Sequence, residues 1–144
     1  PDMQTTINLL KEMQKLGFAK VITSPHVMSD FYKNSSEVIL KGLADVRAEL
    51  KAQKINIKID VAAEYYIDYD FQQKIGQEQF LTFGDKYILV ELSFMESPKN
   101  LFDIIFKLQL EGFKVVLAHP ERYAYMRMTD YDDLVKRGVL LQIN

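Results

Sequence analysis

The sequence predicts an α/β fold with a parallel sheet and helices packed against it. An amphipathic helix followed by a glycine and then a strand recurs three times, around Gly17, Gly112 and Gly138. The strands are short and almost continuously apolar, which is typical of strands buried on both faces. Helices that alternate with such strands favour parallel pairing. We count about five strands, so the alternatives are an open five-stranded sheet or part of a (β/α) barrel, which usually takes about 200 residues or more.

The first half of the chain alternates helical spacing with β-like runs. Gly17 is a common helix stop, and Pro25 ends the strand before it. Either Ser35 or Ser36 can cap the second helix. The predicted elements are a helix over 6–16, a strand over 18–24, a loop over 27–34, a helix over 37–50, and a strand over 55–62 that continues into Ala63, Glu64 and Tyr65.

The second half repeats this plan with stronger strands. Ser97 followed by Pro98 is a typical helix start, and Gly112 and Gly138 are typical helix ends. The predicted elements are a short helix over 68–75, a weak extended piece over 80–83, a strand over 87–92, a helix up to Gly112, a strand over 113–118, a helix over 131–137 and a strand over 139–143.

The composition limits the classes of function. The 144 residues are most simply one domain, 1–144, with 48% apolar and 26% charged side chains. A net charge of −2 and a pI of about 5.7 give no electrostatic case for a nucleic-acid partner. The chain has no cysteine, which excludes from it a disulfide, a zinc–thiolate site and a cysteine nucleophile.

The cellular location is predicted from what the chain lacks. No apolar run approaches the roughly 18 residues of a membrane span, and no signal peptide is visible. We therefore expect a cytoplasmic protein without membrane insertion. The first residue is Pro1, so we also expect the natural N-terminus to lie upstream.

Two histidines and two glutamates lie at predicted strand ends. His26 and His119 are the only histidines, and Glu64 and Glu91 belong to the strands between them. Parallel strands bring their carboxyl ends to one edge of a sheet. A buried carboxylate such as Glu91 needs a cation or several donors. Imidazole and carboxylate suit manganese, zinc or iron, although capping, a solvated carboxylate or an ion pair are structural alternatives.

Two residues after His119 are candidates for substrate binding. The Arg122 guanidinium can hold a phosphate in bidentate fashion, and the alternative is an ion pair with a carboxylate such as Glu121. Tyr123 can line a pocket for an aromatic substrate together with Tyr65, Phe31 and Tyr32, and the alternative for each ring is packing at the rim of the barrel.

Several short motifs occur in one order along almost the whole chain. They are Gly17-Phe18 with the strand into Thr23-Ser24-Pro25-His26, then Ala63-Glu64, Leu89-Val90-Glu91-Leu92, Ala118-His119-Pro120-Glu121-Arg122-Tyr123 and Leu141-Gln142-Ile143-Asn144. In this order they resemble the PHP-type protein-tyrosine phosphatases of bacterial capsule and exopolysaccharide operons. Ser24 replaces a usual threonine and Ala63 a usual glycine, and we expect little effect from either.

The resemblance implies a PHP-type distorted barrel with up to three divalent metals, usually Mn²⁺, with Fe or Zn as alternatives. Carried over residue by residue, it implies that His26, Glu64, Glu91 and His119 are metal ligands. It also implies that Arg122 holds the phosphate, with Tyr123 beside it in substrate binding. The implied activity is hydrolysis of phosphotyrosine on the C-terminal tail of a membrane-linked bacterial tyrosine kinase.

The resemblance further implies that segments outside the chain complete the site. The family begins with a His-x-His strand, expected before Pro1, and ends with an Asp-x-His strand, expected beyond Asn144. We therefore expect a barrel lacking its first and last strands, little activity for this chain alone, and self-association through open strand edges. The alternatives are a small phosphomonoesterase similar to histidinol phosphatases, or a degenerate binding module without metal.

Overall fold

The structure is a computed structural model that describes residues 2–144, and it is a mixed α/β fold. The helices are α1 (Met3–Lys15), α2 (Ser36–Ala52), α3 (Tyr69–Lys74), α4 (Leu101–Leu110) and α5 (Met128–Lys136). The strands are β1 (Lys20–Thr23), β2 (His26–Val27), β3 (Lys58–Val61), β4 (Glu64–Tyr66), β5 (Tyr87–Glu91), β6 (Lys114–Ala118) and β7 (Leu140–Gln142). A 3-10 turn covers Pro120–Arg122.

The strands pair in parallel, as the alternation of helices and strands predicts, but they form two sheets and not the single sheet that the sequence predicts. Five strands make one sheet in the order β2-β4-β5-β6-β7, and β1 pairs with β3 in the other. In the larger sheet His26 lies opposite Glu64, and Tyr66 lies opposite Glu91. Because all five strands point the same way, the residues at their carboxyl ends gather at one edge.

The run over 55–65, which predicts a single strand, is divided between the two sheets, and β2 lies beyond the predicted strand over 18–24, where the sequence predicts a loop from residue 27. Pro25 separates β1 from β2, and Ala62 and Ala63 separate β3 from β4. The Pro25 carbonyl accepts the Glu64 N–H at 3.0 Å, so the proline, which has no N–H of its own, still pairs with the neighbouring run. This division gives seven strands in the described chain where the pattern predicts about five.

The starts of α1 and α2 follow side-chain caps, whereas α4 starts at the first residue of its apolar stripe without such a cap. α1 begins at Met3, before the predicted residue 6, because the Asp2 carboxylate accepts the Thr5 N–H at 2.8 Å. α2 begins at Ser36 with Ser35 as its cap. α4 begins at Leu101 after Asn100 and not at Ser97. The weak piece over 80–83 forms only a single bridge, between Phe83 and Tyr87.

The core lies on both faces of β5 and β6, whose apolar residues are almost all buried. α4 covers one side with four buried apolar residues at helical spacing, Leu101, Ile104, Ile105 and Leu108. Among the described residues, the buried polar or charged ones are Glu64, Glu91 and His119. These three residues are also three of the four candidate metal ligands from the sequence. No helix of residues 2–144 has the length and apolarity to cross a membrane.

Candidate metal centre

Four side chains converge at the edge of the larger sheet. His119 Nε2 lies 2.9 Å from Glu64 Oε1 and 3.3 Å from Glu91 Oε2. His26 Nε2 lies 3.8 Å from Glu64 Oε2 and 3.6 Å from Glu91 Oε1. The two carboxylates therefore lie between the two imidazoles. Residues that are far apart in the sequence share this place because β2, β4, β5 and β6 are neighbours in the sheet.

The local backbone explains why each side chain points to the cluster. Glu64 opens β4 opposite Leu89, and Glu91 closes β5 two residues after Leu89, so both carboxylates lie on the same face of the sheet. His26 opens β2, directly opposite Glu64. His119 follows β6 in the left-handed conformation, with φ 35° and ψ 56°, and Pro120 then starts the 3-10 turn.

The two buried carboxylates of the cluster favour a positive charge beside them. Glu91 is 4% exposed, and burial raises the pKa of its carboxyl above the ordinary value of 4.5, with the nearby Glu64 carboxylate acting in the same direction. His26 and His119 oppose this rise in the pKa. Two carboxylates buried side by side are stabilised when a cation lies between them.

The residues fit a divalent metal. His26, Glu64 and Glu91 each place one potential ligand atom within 4.8 Å of the others. Atoms that bind one metal at about 2.0–2.2 Å lie roughly 3–3.5 Å apart. The separations of 2.9–3.8 Å between imidazole nitrogen and carboxylate oxygen are close to that range. The second ring nitrogen of His119, Nδ1, is buried and has no hydrogen-bond partner among the described residues. The cluster could therefore hold a metal.

The structure places Arg122 and Tyr123 on the turn after His119, but in different surroundings. Arg122 is exposed, and within residues 2–144 its side chain makes no ion pair, so the alternative pairing with Glu121 is not observed. Tyr123 is 2% exposed, and its hydroxyl is hydrogen-bonded to two backbone groups. Burial raises the pKa of Tyr123 above the ordinary value of 10, so its hydroxyl stays protonated. Phosphate binding by Arg122 and substrate binding by Tyr123 stay predictions.

Two aromatic side chains lie beside the cluster: Tyr32, a candidate pocket residue from the sequence, and Phe94, which the sequence analysis does not single out. The Tyr32 ring lies 5.4 Å from the His26 ring, and the Phe94 ring lies 5.8 Å from the His119 ring. Both residues are just over half exposed. The signal that could have identified Phe94 is an exposed aromatic residue directly after a strand that ends in a candidate ligand.

A cavity of about 890 Å³ lies elsewhere, between the β2 segment, α2 and α3. Its lining includes Val27, Lys33, Tyr65, Lys74 and Phe80, and it includes none of the four convergent side chains. Val27 and Tyr65 follow His26 and Glu64 directly. Successive side chains of a strand point to opposite faces, so the cavity lies across the sheet from the cluster.

A parallel α/β fold with a histidine–glutamate cluster at its strand ends defines a class of metal-binding α/β proteins. The chain belongs to the family described as capsular polysaccharide synthesis, CpsB/CapC, whose model matches residues 1–144. The resemblance drawn from the short motifs is thereby confirmed.

Relatives in this family are named tyrosine-protein phosphatases. The chain is 28% identical to YwqE of Bacillus subtilis over 99% of this chain and 57% of that protein. It is 22% identical to CpsB of Streptococcus agalactiae over 99% of this chain and 60% of that protein. It is 25% identical to CpsB of Streptococcus pneumoniae over 94% of this chain and 57% of that protein.

A solved structure agrees with these relatives. The chain superposes with a TM-score of 0.88 and 28% identity on a chain from the crystal structures of YwqE from Bacillus subtilis and CpsB from Streptococcus pneumoniae, described as metal-dependent tyrosine phosphatases. The match covers 99% of this chain and 59% of that one. The chain thus spans somewhat more than half the length of the relatives it matches.

Proposed function

We propose that the whole protein is a metal-dependent phosphatase that hydrolyses phosphotyrosine on a bacterial tyrosine kinase in capsule or exopolysaccharide regulation. The observation that carries the proposal is the convergence of His26, Glu64, Glu91 and His119 on one small space. Membership of the capsular polysaccharide family and the names of the relatives support the substrate. A cytoplasmic location belongs to the same proposal.

His26, Glu64, Glu91 and His119 would hold the metal, and Mn²⁺ is the metal that we propose, with up to three ions in the whole protein. When bound, a divalent metal lowers the pKa of a water ligand and offsets negative charge on a phosphoryl group. The two glutamates supply the negative charge that retains it. The two histidines supply neutral nitrogen ligands on either side of the carboxylates, a donor set that suits manganese, iron or zinc.

Other residues of the chain would bind the substrate. The exposed Arg122 guanidinium is free of ion pairs within the described part of the chain, so it can take a phosphoryl oxygen pair in bidentate fashion. The rings of Tyr32 and Phe94, next to the two histidines, offer apolar surfaces for the phenyl ring of phosphotyrosine. A substrate bound between them would have its phosphate at the cluster.

The barrel and the domain organisation are also part of the proposal. We propose that residues 1–144 are a single domain forming most of a distorted (β/α) barrel, and that the first and last strands lie outside them. The relatives are longer than the match, and β7 at one edge and β2 at the other leave the larger sheet open. Without those strands we expect weak metal binding, little turnover and a tendency to self-associate.

The direct test is phosphate release from a tyrosine-phosphorylated kinase tail by the protein at its natural length. We expect activity that disappears with a chelator and returns with Mn²⁺. Glu64→Gln should abolish both metal binding and activity. Glu12→Gln, at an exposed carboxylate of α1 paired with Lys15, should leave both unchanged.

The same preparation separates the two alternatives. A preference for histidinol phosphate over the kinase tail would replace the substrate and keep the metal site. A protein that binds no Mn²⁺, Fe²⁺ or Zn²⁺ would be a binding module, and the proposal would be wrong.

A further inference from the structure

His119 has an unfavourable backbone conformation, and two tyrosine hydroxyls donate hydrogen bonds to the carbonyls of its neighbours in the chain. Left-handed φ and ψ are uncommon and unfavourable for a residue with a side chain, so they persist only where neighbours fix them. The carbonyl before His119, that of Ala118, accepts the Tyr123 hydroxyl at 3.1 Å. The carbonyl after it, that of Pro120, accepts the Tyr131 hydroxyl at 2.6 Å. The peptide group before His119 and the peptide group that follows Pro120 are therefore both held by a tyrosine hydroxyl.

The Tyr123 hydroxyl also connects the two strands that carry candidate ligands. It accepts the N–H of Leu92 at 3.0 Å while it donates to Ala118. Leu92 directly follows Glu91, and Ala118 directly precedes His119. One buried hydroxyl thus joins the backbone positions next to both ligands. The Tyr123 ring packs beside the His119 ring, with 5.6 Å between their centroids.

We infer that Tyr123 and Tyr131 are positioning residues that fix the separation between the His119 imidazole and the Glu91 carboxylate and thereby set the metal affinity of the cluster. The inference rests on the proposed metal site. Without the hydroxyls, the left-handed turn is free to relax, and His119 Nε2 leaves its position 3.3 Å from Glu91 Oε2. Tyr123 acts on the metal through its neighbours, which differs from the substrate contact that the sequence predicts.

The chain offers a matched control in Tyr65. This tyrosine is 5% exposed, and its hydroxyl accepts the Leu81 N–H at 2.8 Å. It therefore loses the same kind of hydrogen bond when it is changed to phenylalanine. Tyr65 follows Glu64 in the chain, but its side chain lines the cavity across the sheet, and its hydroxyl bonds Leu81, which is not next to a candidate ligand.

The experiment measures Mn²⁺ affinity and thermal unfolding of the metal-depleted protein at its natural length. Paramagnetic resonance of free Mn²⁺ gives the affinity without any assay of activity. We expect Y123F to weaken Mn²⁺ binding about 10–100-fold, as loss of an outer-shell partner does. We expect a smaller loss for Y131F, whose side chain is only half-buried. Y65F should lower the Tm as Y123F does and leave the affinity unchanged.

Each outcome decides between the inference and the proposed function. If the unaltered protein binds Mn²⁺ and Y123F binds it equally well, the positioning role is wrong and the metal site stands. An equal loss of affinity in Y65F would also overturn the role, because it would reflect destabilisation alone. If Y123F does not fold, Y131F decides, and an affinity equal to that of the unaltered protein overturns the role. If the unaltered protein binds no Mn²⁺, the proposed site and the role are both wrong.

Discussion

The two histidines reach the same pair of glutamates from very different surroundings. The His119 side chain is 6% exposed, and its backbone lies in a left-handed turn. The His26 side chain is 44% exposed and belongs to a two-residue edge strand, where the Asn34 side chain donates to its carbonyl at 2.8 Å. The His119 half of the cluster is part of the packed interior, whereas the His26 half lies on the rim. We therefore expect the inner half to fix the geometry of the cluster and the outer half to be the side that a ligand reaches from solvent.

Replacing each histidine by alanine should separate these halves most clearly. We expect His119→Ala to weaken Mn²⁺ binding by more than about 100-fold, beyond the usual effect of an outer-shell change. It should also lower the free energy of unfolding without metal by about 1–3 kcal/mol, because Glu64 and Glu91 lose a buried partner. His26→Ala should weaken Mn²⁺ binding less and leave metal-free stability nearly unchanged. Titration with Mn²⁺ and urea unfolding measure both, and equal losses of metal-free stability would contradict the comparison.

Glu91→Gln should show how much the buried Glu91 carboxylate destabilises the protein in the absence of metal. Because burial raises the pKa of Glu91, the folded state binds its proton more tightly than the unfolded chain does. The free energy of unfolding of the metal-free protein therefore falls as the pH rises above about 4.5. We expect Glu91→Gln to raise the metal-free Tm at neutral pH, to lose that advantage at acid pH, and to abolish the rise in Tm that Mn²⁺ produces. A metal-free Tm lower than that of the unaltered protein at pH 7 would contradict this account.

Arg122→Ala should affect substrate without affecting metal. A charge-assisted bidentate contact contributes about 1.5–3 kcal/mol, so we expect kcat/KM for a phosphotyrosine peptide to fall about 10–100-fold. Arg122→Lys keeps the charge but loses the planar pair of donors, so it should recover only part of the activity. The control is Arg137→Ala, whose guanidinium stacks on Phe102 at 4.3 Å. If Arg122→Ala changes the Mn²⁺ affinity, Arg122 acts on the metal site, and its proposed role in phosphate binding is contradicted.

The aromatic rings should have the smallest effect. Phe94→Ala and Tyr32→Ala each remove one ring beside a histidine, and an aromatic pair contributes about 0.5–1.5 kcal/mol. We expect KM for a phosphotyrosine peptide to rise about 2–10-fold, with no change for an aliphatic phosphomonoester. If both substrates are affected equally, the rings support the cluster and do not select the substrate.

The sequence predicts the fold class well and the division into sheets poorly. Apolar runs and glycine stops identify the parallel α/β plan, because burial and helix termination are local properties of the chain. The separation of β1 from β2, and of β3 from β4, depends on which strands pair across the molecule. The Pro25 carbonyl and the Glu64 N–H form such a pair, and neither local pattern contains it.

The candidate site shows the same limit. His26, Glu64, Glu91 and His119 are identifiable from the sequence because a polar residue at the end of an apolar strand is conspicuous. The hydrogen bonds of the Tyr123 hydroxyl cannot be identified from the sequence, because they join it to Leu92 and Ala118, which lie on two other segments. Phe94 is missed because an exposed aromatic residue after a strand is common. Phe94 becomes a candidate site residue only because its ring lies beside the His119 ring.

The dispersal of the cluster over four strands has a consequence for how the protein acquires its metal. His119 and Glu64 are 55 residues apart in the chain, so an unfolded chain holds no preformed pair of ligands. Closing loops of that length lowers the conformational entropy of the chain, and burial of the apolar core must offset this loss first. If the cluster holds a metal as proposed, metal binding would therefore follow folding, unlike in a zinc finger, where metal binding and folding are coupled. The ion would then be selected by a site that is already formed, and a newly synthesised chain would compete for metal only after its sheet has formed.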